Sequence, residues 1–126
     1  MEAYQNNESI AARIAGETLP DFNYSVKQID IIKKIILATR VPQRPQTHLE
    51  EIMCDADLDY LGREDFSAIA ATLREEWLAY HIIDSEKEWA DRQLVFLEQH
   101  HYFTETSINK RGHQKQEHLL ELKKQL

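Results

Sequence analysis

The chain has 126 residues, 42% of them hydrophobic, which suffices for one ordinary domain with one core but not for two. Twenty-two acidic against fifteen basic residues leave a formal charge of −7, which disfavours non-specific nucleic-acid binding because a surface that tracks phosphates is basic. Only three Gly and three Pro, with abundant Leu, Ile, Ala, Glu, Lys and Gln, leave few strand or turn signals and predict an all-α chain with one domain over 1–126.

Asn6 or Asn7 can cap a first helix carrying Ile10, Ile14, Ala15 and Leu19, stopped by Pro20. Asp21 to Tyr24 reads as a turn, and Ser25 with Gln28 three residues on is a capping box opening a second helix. Its apolar positions, Val26, Ile29, Ile32 and Ile36 widened by Ile31, Ile35 and Leu37, predict a central helix buried on more than one side. Pro42 and Pro45 make a connection of the stretch from Arg40 to Gln46, and Thr47 with Glu50 forms the next capping box. Gly62 is expected to cap a helix end, and a fourth helix begins at Glu64 and Asp65 with Phe66, Ile69, Ala70, Leu73, Trp77 and Tyr80 on one face. Ser85 and Glu88 open a fifth helix with Trp89, Phe96 and Leu97 inward. Thr104 or Ser107 starts a last one, mildly interrupted at Gly112 and carrying Ile108, Leu119, Leu122 and Leu126. Its bases, Lys110, Arg111, Lys115, Lys123 and Lys124, are interleaved with Glu105, Glu117 and Glu121 and read as a solvated face.

The third helix holds the most unusual stretch, Asp55-Ala56-Asp57-Leu58-Asp59-Tyr60-Leu61-Gly62. At roughly 100° per residue, Leu49, Ile52, Met53, Ala56 and Tyr60 share one side, the expected core-facing stripe. Asp57 lies about 70° from its centre, at the border of that stripe, whereas Asp55 and Asp59 fall on the other flank or the back. An acid at the edge of a core needs a cation, a metal or several donors to offset its desolvation. Elsewhere the chemistry is sparse. His113 and His118 are five apart and do not share a face as metal-binding pairs do, and His100 and His101 point about 100° apart. Cys54 stands alone, so it forms no intrachain disulfide and reads as a small buried thiol in a reducing compartment. There is no Gly-rich phosphate loop and no GxSxG elbow. No apolar run approaches a membrane span, and Glu2, Asn6, Asn7 and Glu8 lack the plan of a signal peptide, so the expectation is a soluble, cytoplasmic protein.

The run Ile36-Leu37-Ala38-Thr39, then Pro42 to Pro45, Leu49-Glu50-Glu51-Ile52 and Asp55 through Arg63 resembles the second half of the HD-superfamily metal-dependent phosphohydrolases. The resemblance extends back to Tyr4-Gln5-Asn6-Asn7-Glu8 and forward to Trp89, Phe96-Leu97, His100, Tyr102, Thr104 and Lys115, with the DADLDYLG run its most specific part. It implies an HD-domain-like bundle of about five or six helices lacking its first helices. It also implies a divalent metal (Mn, Fe, Ni, Mg or Zn) held by a His, an adjacent His-Asp pair and a final Asp, here matched by Asp57. The implied reaction is hydrolysis of a nucleotide or another small phosphate ester, the metal activating water and polarising the phosphoryl oxygen. Thr39, Asp55 and Arg63 become candidate neighbours of such a site. No His-Asp dipeptide occurs in the chain, so three of the four ligands are missing and this chain alone is expected to be inactive and to hold no metal tightly. Either Met1 is internal to a longer protein or the chain is a remnant that has lost catalysis. The absent helices would uncover apolar faces, which predicts a homodimer, with helix exchange one way to form it. The alternative is a non-enzymatic helical interaction module.

Overall fold

A computed structural model describes residues 6–126, so Tyr4 and Gln5, part of the resemblance, lie outside the described residues. Every regular element among the described residues is helical, in agreement with the composition. The chain forms two compact units that divide after Asp57, one of residues 6–57 and one of residues 58–126.

The first unit holds α1 (Asn7–Thr18), a 3-10 turn (Leu19–Phe22), α2 (Val26–Ala38) and α3 (His48–Asp57). Pro20 sits in the 3-10 turn, where its missing N–H costs nothing, and Asn23 closes that turn at φ 68°, a left-handed conformation that Asn tolerates. The Ser25 capping box forms as predicted: Gln28 N donates to Ser25 Oγ at 3.1 Å, and Ser25 N donates to Gln28 Oε1 at 2.8 Å. At the start of α3, Glu50 N donates to Thr47 Oγ1 at 3.2 Å, but the Glu50 carboxylate takes the N–H of Gln46 rather than that of Thr47. α2 packs on α1 and α3, and Gln43 Nε2 ties the double-proline connection to the Cys54 carbonyl at 3.1 Å.

Burial in this unit departs from the sequence reading. Ala38 is the buried residue of α2, while Val26 is 86% exposed and Ile31 and Leu37 are exposed, so α2 is not enclosed on several sides. Of the expected stripe, Tyr60 falls beyond α3 and packs against the core of the second unit, but the part in α3 is turned outward: Leu49, Ile52 and Met53 are 58%, 45% and 46% exposed, and the buried residues are Glu50, Cys54 and Asp55. Periodicity identifies which residues share a face but not which face meets protein. Here polar anchors decide it, since Cys54 Sγ donates to the Ala38 carbonyl at 3.2 Å and Glu50 closes the helix start.

The second unit begins with Leu58 and a 3-10 turn (Asp59–Gly62), followed by α4 (Phe66–Ala79), α5 (Glu86–Gln99) and α6 (Glu105–Gln125). Leu58, Leu61, Phe66, Ala70, Leu97 and Leu119 form its core, with Trp89, Leu94, Phe96 and Leu122 packed against them. Tyr80, expected on the packing face of α4, is exposed just beyond that helix, whereas Phe66 and Ala70 are buried as predicted. α5 is capped by Ser85, whose Oγ accepts from Glu88 N at 3.1 Å, and α6 by Thr104, whose Oγ1 accepts from Ser107 N at 3.2 Å. α6 runs through Gly112 without a break, because a helix tolerates a single Gly where neighbouring residues keep the ladder.

Gly62 does not cap a helix. α3 has already ended at Asp57, and Gly62 closes the 3-10 turn without a positive φ. Its requirement is proximity: a Cβ there would lie 2.4 Å from the Arg111 carbonyl oxygen and 2.6 Å from Arg111 Cβ. Only Gly lets α6 approach the turn so closely. The same junction is secured by Tyr102, whose hydroxyl donates to the Leu58 carbonyl at 2.9 Å, and by His118, which donates to the Leu61 carbonyl at 2.9 Å while stacking on Phe66.

Candidate functional site

Asp57 is the last residue of α3 and is exposed. Among the described residues its carboxylate makes no hydrogen bond or ion pair. Partial loss of hydration, and then the nearby charge of Glu8, raise its pKa above the ordinary 3.8. A helix C-terminus is also an unfavourable place for a negative charge, because the last carbonyls already point their oxygens that way. Each of these effects disfavours the charged form of the carboxylate, and a bound cation would favour it.

Asp55, predicted to lie on the back of the helix, is only 3% exposed, so the relation between the two acids is the reverse of the helical-wheel expectation. Thr39 is the C-cap of α2, and its Oγ1 donates to the Ile36 carbonyl at 2.7 Å, an ordinary back-bond at a helix end. Thr39, Asp55 and Asp57 all belong to the first unit. Arg63 belongs to the second and is already committed: its Nε donates to Asp65 Oδ1 at 2.9 Å, and its Nη1 lies 3.9 Å from Asp59 Oδ2. The hydrogen bond from Arg63 holds the Asp65 carboxyl below its ordinary range.

Arg63 is one end of a network that sequence reading missed. Arg111 Nε donates to the other Asp59 oxygen at 2.8 Å, so Asp59 is shared by two arginines from different elements. Arg63, Glu64, Asp65, Arg111 and Gln114 line an open cleft of about 390 Å³. Both guanidiniums in it already face carboxylates, so the cleft offers little net positive charge to an incoming phosphate. Arg111 and Lys115 thus leave the solvated face assigned to them. Lys115 is half-buried, donates to the His100 carbonyl and lies 5.7 Å from the centre of the Tyr102 ring; burial lowers its pKa. The signal that could have found Arg111 is its placement one turn before Lys115 on the side of α6 that also carries His118 and Leu122.

Cys54 is fully buried, and burial together with the charges of Asp55, Asp57, Glu50 and Glu51 pushes its thiol up to about 11. It remains a protonated thiol at neutral pH, as a packing residue does. Among the described residues no group of three or more His, Cys, Asp and Glu side chains is arranged to hold a metal ion. No helix among them is long and apolar enough to cross a membrane. Comparison of the chain with family models, curated proteins and solved structures finds no match.

Proposed function

We propose that this chain is part of an HD-type metal-dependent phosphohydrolase for a nucleotide or another small phosphate ester, with Asp57 as one metal ligand. The observation that carries this reading is the state of Asp57: the acid matching the final ligand in the DADLDYLG run is the one left exposed and uncompensated at the end of α3. The described residues do not complete a metal site around it, so no catalytic step is assigned to this chain alone. Thr39 and Arg63 are each held by a local partner, which makes them weaker candidates than Asp57 for contact with substrate.

The codons upstream of Met1 test the reading directly. An in-frame His and a His-Asp pair are expected, and a stop codon immediately upstream overturns it. In the longer protein, Asp57→Asn is expected to reduce bound manganese and nucleotide hydrolysis together.

A second reading, a non-enzymatic helical interaction module, is favoured by the outward apolar face of α3. It predicts that the stop codon is found and that this chain binds its partner with no metal present.

A further inference from the structure

Arg40 lies two residues beyond α2 and is exposed. Its Nη2 donates to Ser9 Oγ on α1, and among the described residues it forms no ion pair. Arginines that tie this fold together face carboxylates, as Arg63, Arg92 and Arg111 do. Arg40 is held instead by one neutral hydroxyl, which orients the guanidinium and leaves most of its five donors open.

The connection that carries Arg40 is fastened to α3. The Ala38 carbonyl accepts from Arg44 N and from Cys54 Sγ, each at 3.2 Å. Gln43 Nε2 donates at 3.1 Å to the Cys54 carbonyl, three residues before Asp57. On the α1 side, the Ser9 that meets Arg40 follows Glu8, whose charge acts on Asp57. Arg40 and Asp57 therefore stand at the same end of the first unit without pairing with each other, so each keeps its charge for a third group. Lys33 is another cation laid against α1, but it rests on Gly16, two turns away from Ser9.

We infer that Arg40 binds the phosphate group of the substrate at Asp57, donating through the guanidinium N–H groups that Ser9 leaves open. This rests on the phosphohydrolase reading and supplies a cation which that reading otherwise lacks, since Arg63 is engaged in the second unit and Thr39 Oγ1 is spent on the Ile36 carbonyl. A phosphate ester is repelled by a carboxylate such as Asp57, and a guanidinium at the same end of the unit offsets that repulsion. Its planar fork also matches two phosphate oxygens at once, which fixes the orientation of the ester.

The test uses the longer protein, with Arg44, an exposed arginine of the same connection, as the control. Arg40→Gln is expected to raise two quantities by about tenfold or more: KM for the nucleoside monophosphate hydrolysed fastest, and the calorimetric Kd for inorganic phosphate. Bound manganese and the far-ultraviolet circular dichroism are expected to stay unchanged. Arg40→Lys is expected to recover part of both losses, because the charge returns without the fork. Arg44→Gln is expected to change neither constant. Hydrolysis with unchanged KM and Kd in Arg40→Gln overturns the assignment and leaves the phosphohydrolase reading standing. The same holds for an equal rise in Arg44→Gln, which would mark a diffuse basic surface, and for a loss of manganese in Arg40→Gln, which would make Arg40 a structural tie. A longer protein that holds no manganese and hydrolyses no nucleotide overturns the phosphohydrolase reading and the role of Arg40 with it.

Discussion

Residues 58–126 bury large side chains, with Leu61, Ile83 and Leu97 each 1% exposed, whereas the buried hydrophobic residues of 6–57 are Ala12, Ala38 and Cys54. Removing a leucine from water contributes about 1.5–3 kcal/mol, and an alanine or a cysteine contributes far less. The second unit is therefore held by its own core, aided by the Trp77–Trp89 edge contact and by bonds that lock α6 to the turn after Leu58. The first unit is held by the packing of α2 on α1 and α3, with Ile10, Ile29, Ile32, Ile35 and Ile36 half-buried, by caps and by backbone contacts such as that of Cys54 with Ala38, while Leu49, Ile52 and Met53 lie open. Two stretches of similar hydrophobic pattern thus differ in whether the pattern is used within the chain. One is a core of large side chains, and the other leaves its large side chains exposed.

The largest effect that tests this contrast is expected from Leu97→Ala, which leaves a cavity in the second unit and should cost about 2–5 kcal/mol in urea unfolding. Its counterpart Leu49→Ala should change the stability of the monomer by no more than about 0.5 kcal/mol. Similar losses from the two would erase the distinction. Gly62→Ala comes next. Its new methyl group meets the Arg111 backbone rather than a movable side-chain tip, so a loss of about 1–3 kcal/mol is expected by thermal unfolding. Tyr102→Phe removes one hydrogen bond to the Leu58 carbonyl, which keeps a second donor in Leu61 N at 3.2 Å, so a loss of only about 1 kcal/mol is expected.

The smallest effect belongs to Asp57 and has a defined sign. Its folded-state pKa lies above the ordinary 3.8, so the folded protein holds this proton more tightly than the unfolded chain. That contribution to stability is fully present below pH 3.8 and is lost as pH rises through the higher folded value. Asp57→Asn is accordingly expected to raise the melting temperature slightly at neutral pH, with the advantage fading toward acid. A melting temperature that falls at neutral pH on this substitution would mean that a cation already compensates the acid.

The local rules were legible residue by residue. Ser25 with Gln28, Ser85 and Thr104 start helices where their side chains can accept an N–H, Pro20 ends α1, and the turn after Leu19 falls where Asn23 can take a left-handed conformation. The candidate site was legible only as a list of acids. The wheel placed Asp57 at the border of a buried stripe and Asp55 behind it, and the structure exposes Asp57 and buries Asp55. The network joining Asp59 to Arg63 and Arg111 contains one local pair, Asp59 with Arg63 four residues on, but its link to Arg111 spans 52 residues and only the tertiary structure brings the two together.

By itself the sequence determined the helical class, the positions of most helix starts, and the pairing of apolar residues on common faces, because each of these depends on interactions within one or two turns. Only the tertiary structure decided which face of each helix is covered. That choice depends on where a distant segment happens to lie: the Arg111 backbone against Gly62 determines it in the second unit, and the Ala38 carbonyl against Cys54 determines it for α3. The acidic run therefore keeps its chemical interest for a reason the helical wheel did not supply. Asp57 meets no cationic partner among the described residues of its unit, and partial desolvation beside Glu8 raises its pKa.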